Sequence, residues 1–194
     1  MSLENDMYKF LVEDENFNNM VKLRDYYAKV HRRLIQEFWD KVKESLRALT
    51  KDSVWEIYEE EDQDYFERWS SMSLYKPKWY NKEAEKEDGI PLCIAWESLN
   101  LNTYYGVWIN NHSKLWDIAS MRDYLKQLPQ AKNFKSDNHC WPLFGEELDF
   151  TNPDGLRQIL PGSRDQRAKE YATLVYDLAN ELEAHLDKLF KMKS

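Results

Sequence analysis

The sequence predicts an α+β fold, in which a small, mainly antiparallel sheet of about three strands packs with two long flanking helices and some shorter helices. Apolar side chains recur with helical spacing near both ends of the chain, and two strand-like runs lie next to each other in the middle. The chain has only 5 glycines and 6 prolines, too few for the many tight turns of a sandwich or a barrel. Its length of 194 residues predicts a single domain over residues 1–194.

The first long helix is predicted over residues 17–50, and residues 1–16 are expected to form an arm in front of it. The stretch around Leu11 to Phe17 fits either a short helix or an ordered arm. Apolar residues recur in the long helix every three or four positions and form one stripe: Met20, Leu23, Tyr27, Val30, Leu34, Phe38, Val42, Leu46 and Leu49. The other side of the helix carries a basic face, in which acids alternate with Arg32, Arg33, Lys41, Lys43 and Arg47. Mixed charge opposite an apolar stripe is typical of a solvated surface.

The segment from Asp52 to Tyr80 has a weaker pattern. Ser53 fits the N-cap of a short helix that begins at Val54, because several aromatic residues after it have partial helical spacing. The stretch from Tyr75 to Asp88 contains Pro77 and many charges. It is predicted to be a loop that leads into the sheet.

The sheet region is predicted over residues 91–150. Pro91–Leu99 and Thr103–Asn110 are predicted to form a hairpin. His139–Phe150 is predicted to be a third strand, which its proline and glycine restrict to an edge or bulged position. Alternate residues of a strand face opposite sides, so one face of the hairpin is expected to meet helices. Between the second and third strands, a helix from Ser113 to Leu128 is expected.

The last long helix is predicted over residues 163–191, with Ser163 as its N-cap and an apolar stripe that includes Tyr171, Leu178 and Leu186. We expect it to pack on the first long helix. Each helix of about 30 residues would be about 45 Å long, which exceeds what a small domain needs. Part of the apolar seam is therefore expected to lie against a second copy, in a homodimer through the long helices.

Charge and cysteine content predict a cytoplasmic protein. The formal net charge of −8 does not favour nucleic acid as a partner. Cys93 and Cys140 fall on two separate predicted strands, and two thiols in a chain of this size fit a reducing compartment. Residues 1–10 lack the apolar core of a signal peptide, and no apolar run approaches the ~20 residues of a membrane span.

No metal, cofactor or catalytic motif is predicted. The four histidines form no pair with metal-ligand spacing: His31, His112, His139 and His185. Neither cysteine and no serine lies in a known nucleophile motif, and the scattered glycines form no phosphate-binding loop. The acidic run from Glu59 to Asp64 lacks the spacing of a calcium loop. An enzyme is the less expected class, although catalytic residues can converge from distant positions.

Three aromatic segments and the order of the predicted elements carry a resemblance to a known family. The segments are Arg24–Tyr27 with Phe38–Trp39, the strand Tyr104–Ile109, and Met121–Leu125. Over roughly Leu23 to Leu189 the chain resembles an accessory α/β module associated with PD-(D/E)XK nuclease-like proteins of bacteria and phages. That nuclease family has an acid two residues before a lysine, and no lysine of this chain is preceded at that spacing by Asp or Glu. The resemblance thus implies an accessory or recognition part rather than the cutting part.

The first functional hypothesis is a non-catalytic protein-interaction or regulatory module with a protein partner. Its candidate binding surface is Tyr104, Trp108, Trp116 and Arg122, because Trp, Tyr and Arg are enriched at binding surfaces. Aromatic side chains dominate cores as well, so burial has to decide between the two roles. The alternative is a nucleic-acid-binding accessory domain of a restriction or defence nuclease system, which would use the basic face. A third hypothesis is an acidic protein that imitates the phosphates of DNA.

Overall fold

The α+β class is confirmed by the computed structural model, which describes residues 3–59, 64–67, 70–79, 92–99, 101–110, 118–136 and 139–191. The helices are α1 (Leu3–Leu11), α2 (Asp14–Thr50), α3 (Ile118–Leu125), α4 (Pro153–Gln158) and α5 (Arg164–Lys191). The strands are β1 (Glu56–Glu59), β2 (Ser70–Tyr75), β3 (Leu92–Leu99), β4 (Asn102–Ile109) and β5 (Leu143–Asp149). Short 3-10 turns follow β2 at Pro77–Trp79 and α3 at Pro129–Asn133.

The strands form one antiparallel sheet of five in the order β1-β2-β3-β4-β5. The prediction of about three strands is wrong because β1 and β2 lie where a short helix was expected. Ser53 lies in the turn after the end of α2 and does not start a new helix. Its hydroxyl donates to the carbonyl of Thr50 and accepts from the N–H of Trp55. In β2, the buried Met72 and Leu74 alternate with serines, so the strand period is present but its apolar signal is weak.

The central hairpin is present as predicted. Leu99 of β3 pairs with Asn102 of β4, and Leu101 in the turn has a φ of 68°. This φ lies in the left-handed region, which leucine seldom adopts. The third predicted strand, β5, has the edge position that its proline and glycine indicate, and it begins at Leu143.

Two helix ends differ from the sequence prediction. The residues predicted as an arm contain α1 and the first turn of α2, which begins at Asp14. The helix expected from Ser113 to Leu128 already ends at Leu125, and residues 111–117 lie outside the described residues. Ser163 lies directly before α5, at the predicted position. Its hydroxyl, however, donates to carbonyls at the end of α4 and in the turn that follows it, namely those of Arg157, Gln158 and Leu160.

The core lies between one face of the sheet and the helices α2 and α5, and aromatic rings form its centre. Trp39 of α2 stacks on Trp96 of β3, with 5.0 Å between ring centroids and 16° between ring planes. Tyr171 of α5 meets the ring of Trp39 edge-on at 5.3 Å. Tyr105, Val107 and Ile109 of β4 face this core, which confirms that one face of the hairpin meets helices.

The two long helices pack on each other, as predicted. Arg164, the first residue of α5, pairs with Glu37 in the middle of α2. Further along, Trp55 just after α2 donates to Asn180 of α5 at 3.0 Å. Because these contacts follow the same order along both helices, α2 and α5 run in the same direction. The part of α2 before Glu37 therefore extends past the beginning of α5.

We predict that Gly106→Ala destabilises the sheet. A Cβ at this position would lie 2.1 Å from the carbonyl oxygen of Leu143 and 2.7 Å from the Cα of Phe144. Both are backbone atoms of β5, so β5 would have to move away from β4, at a cost of about 1–3 kcal/mol or more. The measurement is the free energy of unfolding from urea denaturation. Gly162→Ala is the control, because nothing lies within 4 Å of the place that its new methyl group would occupy, and an equal loss in both variants would contradict the prediction.

Candidate functional site

The N-terminal half of α2 and the helix before it project from the domain. From here on, the arm means residues 4–33, which comprise most of the predicted arm of residues 1–16 and the first part of α2. In this range all residues are exposed except four that are half-buried: Leu11, Asn16, Val21 and His31. The buried positions of α2 begin only at Ile35. With 37 residues, α2 is about 55 Å long, and less than half of that length lies on the core.

The arm carries most of the exposed large apolar side chains. Of the thirteen in the described part of the chain, ten lie on the arm: Met7, Tyr8, Phe10, Val12, Phe17, Met20, Leu23, Tyr26, Tyr27 and Val30. Their exposed fractions range from 37% to 69%. The remaining three are scattered at Val54, Tyr58 and Leu160. The arm is therefore the main exposed apolar surface among the described residues.

The apolar stripe of the arm is the same stripe that packs in the core further along α2. Met20, Leu23, Tyr27, Val30 and Leu34 follow one another at steps of three, four, three and four residues. This spacing is typical of the contact seam between two paired helices. Leu34 packs against the core, whereas Val30 and the preceding members of the stripe are exposed. The stripe thus continues past the point where this chain covers it.

His31 joins the inner end of the arm to the body of the domain. Its Nε2 lies 2.9 Å from the carbonyl oxygen of Phe150. Because a carbonyl only accepts, Nε2 carries a proton and donates it to this bond. The His31 ring also meets Phe66 edge-on at 5.4 Å. Near the other end of the arm, the amide of Asn16 donates to the carbonyl of Phe10 at 2.9 Å and joins α1 to α2.

Acidic and basic residues lie in separate parts of the arm. Residues 4–16 contain five acids and one base, Glu4, Asp6, Glu13, Asp14 and Glu15 with Lys9, which gives a net charge of −4. Residues 17–33 contain five bases and one acid, Lys22, Arg24, Lys29, Arg32 and Arg33 with Asp25, which gives +4. The two parts cancel, so the net charge of −8 resides in the rest of the chain.

The predicted basic face is paired with acids of the same chain. Arg32 pairs with Asp64, Arg33 with Glu37 at 2.6 Å, and Lys41 with Glu44 at 2.6 Å. Lys43 and Arg47 are also engaged in contacts. The hydrogen bond from Arg33 is the largest influence on the Glu37 carboxyl and, with that from Arg164, holds its pKa below the ordinary value. The face therefore presents mixed charge rather than a positive surface.

The structure brings together two of the four residues of the predicted aromatic surface. Tyr104 and Trp108 are half-buried on the face of β4 away from the helices. Tyr104 meets Phe144 of β5 edge-on at 5.6 Å, and Trp108 packs with the small cluster of Cys93, Ala95 and Trp141. Arg122 does not join them, because it lies on α3, whose Met121 and Leu125 belong to the helix-side core. Trp116 lies outside the described residues.

A buried lysine forms the strongest cluster of charges in the body of the domain. The Lys76 side chain is 2% exposed and donates to Glu183 and, at 3.1 Å, to Asp187 of α5. Its ammonium lies 5.4 Å and 5.5 Å from the ring centroids of Trp55 and Trp79, a favourable position for a cation. Because its charge is matched by carboxylates of the same chain, this cluster joins the end of β2 to α5. Sequence reasoning missed it, since its members lie far apart in the chain.

Three further observations on the described residues concern metal binding and nucleophilic side chains. No three His, Cys, Asp or Glu side chains of that part come together as a metal site would require. Burial raises the pKa of the Cys93 thiol to about 12, which makes it a poor nucleophile at neutral pH. The ring of His185 contacts the Tyr124 hydroxyl at 2.9 Å, as a packed histidine does.

An open groove of about 330 Å³ lies between α2 and α5. Its lining mixes charged and small side chains: Lys41, Glu44, Ser45, Ala48, Leu49, Asp165 and Lys169.

Within the described residues, no helix has an apolar stretch that could cross a lipid bilayer.

Comparison of the chain with protein-family models, with curated proteins and with solved structures finds no match. The arm, the paired basic face and the Lys76 cluster are therefore interpreted from their geometry and chemistry.

We predict that the charged carboxyl of Asp187 raises the free energy of unfolding at neutral pH and that this contribution is lost in acid. Burial opposes the charged carboxyl, but hydrogen bonds from Lys78, Lys76 and Trp79 outweigh it and hold the pKa of Asp187 below its ordinary value of 3.8. A lowered folded-state pKa adds stability above about pH 4, which disappears as the pH falls through that lower pKa. Asp187→Asn should therefore cost about 1–3 kcal/mol at pH 7 and show a shallower loss below pH 4 than the unchanged chain.

The measurement is the urea midpoint from pH 7 to pH 2. Asp177→Asn is the control, because it makes the same substitution at an exposed position of the same helix and should change the urea midpoint at pH 7 far less. Parallel pH profiles for the Asp187→Asn variant and the unchanged chain would contradict the assignment.

Proposed function

We propose that this chain is a non-catalytic protein-interaction module that binds a protein partner through the apolar stripe of the arm. The observation that carries the proposal is the concentration of ten exposed large apolar side chains on residues 7–30. The five aromatic side chains among them are 49–68% exposed and alone present roughly 600 Å² of surface, since an aromatic side chain can bury about 150–250 Å². The largest patch on a typical monomer is only about 300–600 Å² and is often functional.

The cost of forming the arm supports the same proposal. A helix without tertiary contacts is marginal in water below about 12–15 residues, and most helices in proteins are stabilised by packing of an apolar face. The part of α2 on the arm has its stripe exposed, so its contacts at His31 are not accompanied by burial of the stripe within this chain. A partner that covers the stripe would supply the missing burial, at about 25 cal/mol for each Å² of apolar surface. Exposed stripes of this kind dock into apolar grooves or pair with other helices.

The predicted aromatic surface is a weaker candidate than the arm. Tyr104 and Trp108 are half-buried by their neighbours and offer little area for a partner. The resemblance to an accessory module of nuclease-like proteins fits a recognition role and adds no catalytic one. A nucleic-acid-binding accessory domain is the alternative proposal, and the ion pairs of the basic face count against it, because contacts with phosphates need cations that are available.

We predict that a photo-crosslinking residue placed at Leu23 captures a protein in cells of the native host. A benzophenone amino acid at this position replaces a side chain that is 69% exposed on the stripe. The matched control is the same residue at Asn18, which is exposed on the opposite side of the arm. The readout is a discrete adduct on a denaturing gel, identified by mass spectrometry.

An adduct formed from position 23 and at least about tenfold weaker from position 18 supports the proposal. Absence of any protein adduct from position 23 contradicts it. Crosslinking to nucleic acid, weakened steeply by salt, would favour the alternative.

A further inference from the structure

We infer that the partner of the arm is the arm of a second copy of this chain, and that the two arms pair antiparallel about a two-fold axis near Met20. This inference rests on the proposed function, because it names the partner that the stripe binds. Three properties of the arm lead to it: the charge distribution, the exposed area and the spacing of the apolar residues.

The charge distribution selects the direction of pairing. The acidic part of the arm carries −4. In the basic part, Arg32 and Arg33 pair with acids outside the arm, so the remaining bases Lys22, Arg24 and Lys29 against Asp25 give +2. In a parallel pair, like charges would lie side by side along the whole arm, whereas in an antiparallel pair each acidic part lies beside a basic part. Opposite charges at the flanks of paired helices set partner choice and orientation. The arm thus has a charge pattern that is complementary to itself.

The rest of the molecule restricts where two copies can meet. Residues 34–194 carry all of the net charge of −8, so two domain bodies in contact would repel each other. The arm has no net charge and holds most of the exposed apolar area of the described residues. It is therefore the surface on which two copies can associate with the least electrostatic cost.

The positions of the apolar residues set the register. With the axis at Met20, Phe17 lies opposite Leu23 of the other copy, and the two Met20 side chains lie opposite each other. The same register places residues 14–15 opposite residues 25–26 of the other copy, within one helical turn of the basic Arg24 and Lys29 of that copy. The aromatic side chains of each arm alone present roughly 600 Å², to which the exposed Met, Leu and Val side chains add, compared with the roughly 800 Å² that each partner buries in an interface of standard size.

We predict that the purified chain is a dimer in solution. Light scattering after size exclusion should give about 47 kDa, twice the chain mass of 23.4 kDa. Leu23→Glu should weaken dimerisation at least about 30-fold, since it places a charge in the centre of the seam. Asn18→Glu is the control, because it adds the same charge on the opposite side of the arm and should leave the dimer intact. Both sites are exposed, so the thermal unfolding of the dilute domain should be similar in the two variants.

Introduced thiols test the direction of pairing. Met20→Cys places two thiols at the axis, where they can form a disulfide between copies under mild oxidation. Val30→Cys is ten residues away, about 15 Å along the helix, so in an antiparallel pair the two thiols lie about 30 Å apart, far beyond the ~7 Å limit between Cα atoms. In a parallel pair, both variants would crosslink. The unchanged chain, with its buried Cys93 and half-buried Cys140, gives the background.

A dimer that crosslinks at position 20 and not at position 30 supports the inference. A monomer at about 100 µM overturns it, and crosslinking at both positions overturns the antiparallel direction. The photo-crosslinking experiment separates this failure from a failure of the proposed function. If position 23 captures a different protein, the arm is an interaction surface for that protein; if it captures nothing, the proposed function fails as well.

Discussion

The stacked contact between Trp39 and Trp96 is the constraint on which the rest of the structure depends. It joins α2 to the middle of β3, and the ring of Tyr171 of α5 packs edge-on against both tryptophans. Large rings in a close-packed interior have few alternative arrangements, so the contact fixes the rotation of α2 over the sheet. Because α2 is a single helix from Asp14 to Thr50, this rotation also determines the direction in which the stripe of the arm faces.

One apolar stripe therefore has two roles along a single helix. From Leu34 onwards the stripe meets the sheet and α5, and before that point it meets solvent. The types of residue do not change at the boundary. The difference arises because α5 begins at Arg164, beside Glu37, and has no residues further back along α2. The extent of the neighbouring layer, rather than the composition of the helix, separates the core from the exposed surface.

The long helices and the hairpin could be predicted because their periodicity resides in their own residues. The strands β1 and β2 could not, because aromatic spacing before Ser70 and serines within β2 obscure the alternation. The helix lengths predicted that this chain would leave part of the seam uncovered, but not which part, since a stripe has the same pattern whether or not another element covers it. The Lys76 cluster joins residues 107 and 111 positions apart, and no local pattern indicates such a contact. Likewise, only burial separates Tyr104 and Trp108 from an open binding surface.

The uninterrupted passage of α2 from the arm into the core has a mechanical consequence. Because the helix is rigid, it would hold anything bound to the arm at a fixed distance and a fixed angle from the sheet. Inserting one residue after His31 would turn the stripe by about 100° and shift it by about 1.5 Å, whereas seven residues would nearly restore the angle and add about 10 Å. The distance between the sheet and the exposed stripe is thus set by the number of residues between Val30 and Trp39, independently of their chemistry.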